Sequence, residues 1–447
     1  MNEIVLDGSI LLLAFAALLV LMMLLLTKLK LHAFLALLFV TILLGLISGL
    51  NPPDIINYTI DGAGKALGYV AFIVLFATII GEILNKTGSA FVISNSIKRL
   101  VGSSRGVLAI ALAGFLVAVP VFCNDTAFVM LAPIAQSLIL GGGFAGGTVM
   151  IALAAGVLTS FNLIFPAGPL YAATTFGADV GKVLSLGLIV SVPVFAVGMV
   201  WAYRYCNRLE ISRKTSPTEE EAKQQHQHLP SIASSYAPII IPLGLILLRS
   251  LFDGILPQGS ITRTLFDLVG HPIIALLMGI IIALAFASRK NSADTLNEWV
   301  VDGVKRASPI LVTVGAGGAL GKILEVTGMG TYIGRLVLGY GIPSILVPFI
   351  VAAALKTAQG SSTVTMITAP SIIYPILPSL GLSPVVATMV VCAGAMVCTN
   401  VNDSFFWVVT GFADMDTKTG FKALTALSII QGVVAFVLVA VIGTYFA

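Results

Sequence analysis

The sequence predicts an all-α polytopic membrane protein built from two inverted-topology repeats with broken helices or re-entrant hairpins. Three observations predict it: a composition unsuited to water, a set of motifs that recurs in the same order, and a reversal of basic charge between matched positions. Of the 447 residues, 58% are hydrophobic and only 10% charged, with a mean hydropathy of +1.04. A soluble domain carries about 25% charged residues.

Apolar runs long enough to approach the ~30 Å of a hydrocarbon layer occur at Ile10–Leu26, Phe34–Leu50, Val183–Tyr203, Ala237–Leu248, Ile273–Phe286 and Ala423–Phe446. Counting the compact or interrupted ones between them, about 12–14 transmembrane segments are expected. The net charge of +4 belongs to the loops of such a chain, where it sets orientation and gives no reason to expect nucleic acid. Cys123, Cys206, Cys392 and Cys398 show no metal or redox spacing and read as inert thiols. Glu3 and Asp7 precede the first apolar run in place of a basic signal-peptide region, so that run is expected to stay in the mature protein.

His32-Ala-Phe-Leu-Ala-Leu-Leu returns as His271-Pro-Ile-Ile-Ala-Leu-Leu, and Asp61-Gly62 returns as Asp302-Gly303. The Gly81 segment GEILNKTG returns at Gly321 as GKILEVTG, and NDTAFVMLAP, ending at Pro133, returns as SSTVTMITAP, ending at Pro370. Four matches in one order, each roughly 240 residues apart, imply duplication. The expected organisation is an N-terminal repeat over 1–205, a polar cytoplasmic linker over 206–235 and a C-terminal inverted repeat over 236–447. His226 and His228 fall in the linker and read as solvated.

Basic residues mark cytoplasmic loops. Lys28 and Lys30 follow the first helix; Lys86, Lys98, Arg99 and Arg105 place the next large loop inside. In the second half Arg289, Lys290, Lys305 and Arg306 flank the stretch after its second helix, while the segment matching 86–105 holds only Arg335 against Glu325. Charge therefore inverts between the halves, as in inverted-repeat carriers. Both termini are expected in the periplasm of a bacterial inner-membrane protein.

Non-helical chain at membrane depth survives only inside protein or beside a cavity, so interruptions point to a binding site. One repeat-related pair is Cys123–Thr126 and Lys356–Thr363; the other is Thr159–Pro169 and Cys398–Trp407. Asn124, Asp125, Ser361 and Ser362 sit where they can cap the resumed helices, whose N-termini attract anions. Ionisable groups at this depth are costly and usually functional. Asp125 and Asp403 are expected to couple protons, and Lys356 either meets a substrate carboxylate or snorkels to an interface. The carboxylate is expected near Asn124–Thr126 and Ser361–Ser362–Thr363, with Asn162, Asn400 and Asn402 binding hydroxyls. Glu82 and Lys322, at matched positions, are read as facing opposite compartments, and His32 and His271 as helix-end residues.

At LKTAQGSSTVTMITAPS, VNDSFFW and GKILEVTGMG the chain resembles the gluconate:proton symporter family, within the ion transporter superfamily of inverted-repeat carriers. The resemblance spans nearly the whole chain. It implies proton-coupled import of a small sugar acid or hydroxy-carboxylate, and it adds Gln359, Gly360, Ser361, Ser362, Thr363, Asn402 and Asp403 as binding positions. In the first half the chain departs from the family pattern. Asn124-Asp125-Thr126 stands where a Glu-Val-Gly sequence is usual, and FPAGPLYAATTFGAD stands where a Pro-Pro-His-Pro run is usual. A sodium-coupled carboxylate carrier, a D-serine-like carrier and, from another class, an anion channel stay open here, as does a homo-oligomer. No hydrolytic triad motif or membrane-depth metal motif appears, so an enzyme, a metal and a cofactor are not expected.

Overall fold

A computed structural model describes residues 8–29, 31–101, 105–119, 124–140, 144–164, 168–208, 229–252, 260–289, 291–328, 343–401 and 403–446. The described chain is predominantly helical, with no strand among the described residues. In chain order the helices are α1 (Gly8–Thr27), α2 (Ala33–Ile47), α3 (Pro52–Lys86), α4 (Ser89–Val101), α5 (Gly106–Ala118), α6 (Asn124–Leu140), α7 (Gly146–Leu163), α8 (Gly168–Phe176) and α9 (Val180–Arg204). There follow α10 (Ile232–Phe252), α11 (Ile261–Val269), α12 (Pro272–Ala287), α13 (Ala293–Val326), α14 (Leu346–Gln359), α15 (Ser362–Ile373), α16 (Pro384–Met396), α17 (Ser404–Phe412) and α18 (Ala426–Ile442). Among the described residues six helical segments are long and apolar enough to cross a bilayer, or eight if two bent pairs each count as one span, and further helices are apolar but shorter. One bend, of 46°, falls inside α3, and the other, of 64°, separates α11 from α12.

The repeat is written into the local geometry. His32 and His271 both hold the N-cap position, of α2 and α12. The Lys-Thr-Gly and Val-Thr-Gly motifs end α3 and α13 in the same way. Thr87 and Thr327 are the C-caps and donate their N–H groups to Ile83 O and Ile323 O, while Gly88 and Gly328 take φ of 74° and 68°. A side chain at that left-handed position would be strained, which is why glycine recurs there. Packing repeats too: a Cβ at Gly156 would stand 2.1 Å from Ala111 O, and one at Gly394 would stand 2.7 Å from Phe349 O. The close approach of α5 to α7 thus returns as that of α14 to α16.

Repeat-equivalent helices also touch each other. Where α3 crosses α13, a Cβ at Gly62 would lie 2.4 Å from Gly318 O, and a Cβ at Gly303 would lie 2.8 Å from the Ile79 Cα. Gly62 matches Gly303, so the two contacts are images of one another, and the register runs antiparallel. A pseudo-two-fold axis lying in the membrane plane produces this; one along the membrane normal would leave equivalent helices parallel. Lipid offers helices no hydrophobic drive to associate, and glycines permit the close approach that substitutes for it. The same axis brings α7 against α16 and α9 against α18.

Charge closes both ends of the α3–α13 pair. At one end the buried Glu82 is ion-paired with Arg306, Oε2 to Nε at 2.7 Å, and Lys86 meets Asp302 at 3.2 Å. At the other end Lys322 lies 3.2 Å from Glu325 and 3.9 Å from Asp61, which itself holds Lys65 at 2.8 Å. Glu82 and Lys322 therefore stand at opposite ends, each bridged to the other repeat but not to one another. Beyond α9, burial pushes the Cys206 thiol up to about 12, consistent with an inert thiol.

Candidate functional site

Each repeat carries two breaks, and the second repeat is described best. Its first break is two residues long. Gly360, at φ 80°, ends α14, and Ser361 starts α15 with its hydroxyl accepting from Val364 N at 3.3 Å. Its second break runs from the end of α16 to Asp403 and includes Cys398 in the left-handed region at φ 64°. Asp403 is the N-cap of α17 and accepts from Phe405 N at 3.0 Å. In the first repeat α6 opens at Asn124, and α7 ends at Leu163 ahead of α8.

Lys356 joins the two breaks of the second repeat. It sits in the last turn of α14 with no solvent exposure, donates to Gly360 O at 2.7 Å and forms a direct ion pair with Asp403. Asn400 reaches from the second break to Thr357 O at 3.5 Å, next to Lys356. The snorkelling alternative is thus corrected: the Lys356 ammonium is held inside the protein, among carbonyl and carboxylate oxygens.

Two further helices bring their N-termini to the same place. Phe128 of α6 stacks edge-on against Phe405 of α17 at 5.8 Å, and Gln136, two turns on, reaches Phe412 O at 3.4 Å. Contacts that advance together mean parallel helices, so Asn124 lies beside the start of α17. The image pair behaves alike: a Cβ at Gly168 of α8 would meet Met366 of α15, and Tyr171 hydrogen-bonds Ser371 at 3.1 Å. Since Lys356 ties the start of α15 to the start of α17, four helix N-termini converge, two from each repeat. Each contributes roughly half a positive charge. With Lys356 neutralised by Asp403, the remaining field favours an anion.

Buried polar oxygens at the helix ends beside the breaks are left without partners among the described residues. Asn124 Oδ1, Asn162 Oδ1 and Ser362 Oγ lack a hydrogen-bond partner among the described residues. A buried unsatisfied acceptor costs about 1–3 kcal/mol, a cost that a ligand or water removes on binding. Asp125 and Thr126, in the first turn of α6, are half-buried. Asn402 lies outside the described residues, as do the side chain of Gln359 and the linker interior over 209–228. Trp407, at the end of the second interruption, is 53% exposed and donates to Val401 O at 2.8 Å. Sequence reasoning missed the Tyr171–Ser371 pair, because a tyrosine in a short apolar helix reads as ordinary core.

A helical bundle with an in-plane pseudo-two-fold axis and broken helices meeting at a polar centre defines a membrane transport protein of the inverted-repeat class. Known proteins agree. The model of the GntP family permeases matches residues 9–444, and the chain belongs to that family. It is therefore a multi-pass membrane transporter and not an enzyme. The chain is similar to a gluconate permease of Pseudomonas aeruginosa, 31% identical over 93% of both chains. It is also similar to a low-affinity gluconate transporter of Escherichia coli (strain K12), 31% identical over 96% of this chain and 95% of that one. Among solved structures, the YdaH transporter of Alcanivorax borkumensis superposes with a TM-score of 0.71 at 15% identity, covering 93% of this chain and 99% of that one. That likeness shows the fold.

Proposed function

We propose that the protein is a proton-coupled importer of a small sugar acid or hydroxy-carboxylate, gluconate-like, in a bacterial inner membrane. The observation that carries the reading is the buried Lys356–Asp403 pair at the meeting point of four helix N-termini. The gluconate specificity in the names of the relatives supports the substrate class. The carboxylate docks at the starts of α15 and α6, with Ser361, Ser362 and Thr363 on one side and Asn124 and Thr126 on the other. Gln359 and Gly360 shape the turn, and Asn162, Asn400 and Asn402 take the hydroxyls. Lys356 is the counter-charge, and Asp403 and Asp125 carry the proton.

Pairing gives this assignment a rationale. A carboxylate that draws Lys356 away leaves Asp403 charged in a dry site, so Asp403 must gain a proton as the anion binds. Anion and proton then travel together. In this reading residues 1–205 and 236–447 are the two moving repeats, residues 206–235 are a cytoplasmic linker, and both termini face the periplasm.

Proteoliposomes loaded at neutral pH and diluted into acidic buffer test the proposal. Wild-type protein is expected to accumulate radiolabelled gluconate above the external level, and Asp403→Asn to equilibrate it without accumulation. Accumulation driven by the pH gradient alone in both Asp125→Asn and Asp403→Asn would exclude the proton role.

A further inference from the structure

Beside the converging N-termini lies a second group of buried polar residues, contributed by both repeats. Thr399, in the second break, donates its N–H to Ser428 Oγ at 2.9 Å, and its carbonyl accepts from the Thr425 hydroxyl. Thr425 closes a single π-helical turn, Phe421–Thr425, that leads into α18. Such turns mark functional segments because they spoil the regular ladder. One turn past Ser428, Gln431 crosses to the first repeat. Its amide nitrogen donates to Thr159 Oγ1 at 2.8 Å and Ala155 O at 3.3 Å on α7, and to Val194 O at 3.4 Å on α9.

Gln431 has its orientation fixed by its neighbours. The Thr159 hydroxyl donates to Ala155 O at 2.7 Å, so it can only accept from Gln431, which must present nitrogen there. Asn162, one turn further along α7, is fixed likewise by Leu158 O at 2.9 Å. The oxygens Gln431 Oε1, Asn162 Oδ1 and Thr399 Oγ1 are left over. All three residues show 0% exposure, and none of these oxygens has a partner among the described residues. Two orphaned amide oxygens that can only accept and one orphaned hydroxyl that can accept or donate, in one buried group, suit a ligand rich in O–H groups.

We infer that Thr399 and Gln431 form, with Asn162, a hydroxyl-recognising wall that selects a polyhydroxylated carboxylate over a short one. This deepens the transport reading above and rests on it. The carboxylate end sits at Lys356, and the hydroxylated tail reaches along the second break, four residues from Asp403 back to Thr399, towards α18. Hydroxyl recognition by buried partners discriminates strongly, because an analogue without the hydroxyl leaves them unpaired.

The test is equilibrium binding of gluconate and of lactate to detergent-purified protein, with Thr399→Val, Thr399→Ser and Gln431→Leu beside wild type. Thr399→Val keeps shape and backbone hydrogen bonds and removes only the orphaned hydroxyl. It is expected to weaken gluconate binding about tenfold, to change lactate less than about twofold and to leave the unliganded melting temperature equal or higher. Thr399→Ser restores gluconate affinity, and Gln431→Leu shows the same selective loss. Equal losses for both acids, or no loss for gluconate, mean that the oxygens hold only water and overturn the inference alone. Wild-type protein that binds neither acid overturns the transport reading and this one with it.

Discussion

Replacing Lys356 by methionine is expected to destabilise the protein by about 3–5 kcal/mol, because it removes the buried counter-charge of Asp403. Asp403 also caps α17, so that helix start is disturbed as well. The double variant Lys356→Met/Asp403→Asn removes both charges, and asparagine still caps a helix. Its stability is expected to return to within about 1 kcal/mol of wild type, since a buried pair adds little net stability over neutral residues of similar shape. Transport does not return with it, because the counter-charge for the anion is gone. Chemical unfolding in detergent micelles, read by tryptophan fluorescence, measures the first effect, and vesicle uptake measures the second. A single variant as stable as wild type would mean that Lys356 finds no buried carboxylate.

The second large effect is expected at the crossing of α3 and α13. Gly62→Leu places a branched side chain where a Cβ alone would already stand 2.4 Å from Gly318 O and 2.7 Å from the Lys322 Cβ. The obstructing atoms are backbone and side-chain root, which cannot swing aside, so the helices must separate. Overpacking costs about 1–3 kcal/mol at a forgiving site, and more here, where the crossing joins the repeats. Gly64 and Gly68, on the same helix, leave open space where a Cβ would project, with nothing within 4 Å. Gly64→Ala is therefore expected to stabilise by about 0.5–1 kcal/mol through helix propensity. Thermal unfolding monitored by size-exclusion of the detergent complex separates the two. Equal melting of Gly62→Leu and wild type would contradict the close antiparallel crossing.

Much of this architecture was legible because repetition leaves marks that apolar composition does not erase. The Thr-Gly helix ends at 87–88 and 327–328 and the histidine caps at 32 and 271 are local devices, and local devices survive in sequence. Polar knots in apolar runs located the breaks for the same reason. Asp403 ahead of an aromatic run was readable as a cap. Its bond to Lys356, 47 residues away, was not, since nothing local dictates which buried charge meets which. Gln431 stands as the lone amide within the apolar helix Ala426–Ile442, and that contrast was the available signal. The parallel pairing of α6 with α17 and of α8 with α15 is a consequence of the pseudo-two-fold axis and becomes visible only in three dimensions.

The central claim is that one anion is held jointly by helix starts from both repeats, and site protection measures it most directly. In protein whose four cysteines are replaced by serine, Asn124→Cys and Ser362→Cys are labelled one at a time with a membrane-permeant maleimide over a range of gluconate concentrations. Gluconate is expected to slow labelling at both positions with the same half-saturating concentration. Protection at one position only, or at neither while gluconate still binds, would contradict it.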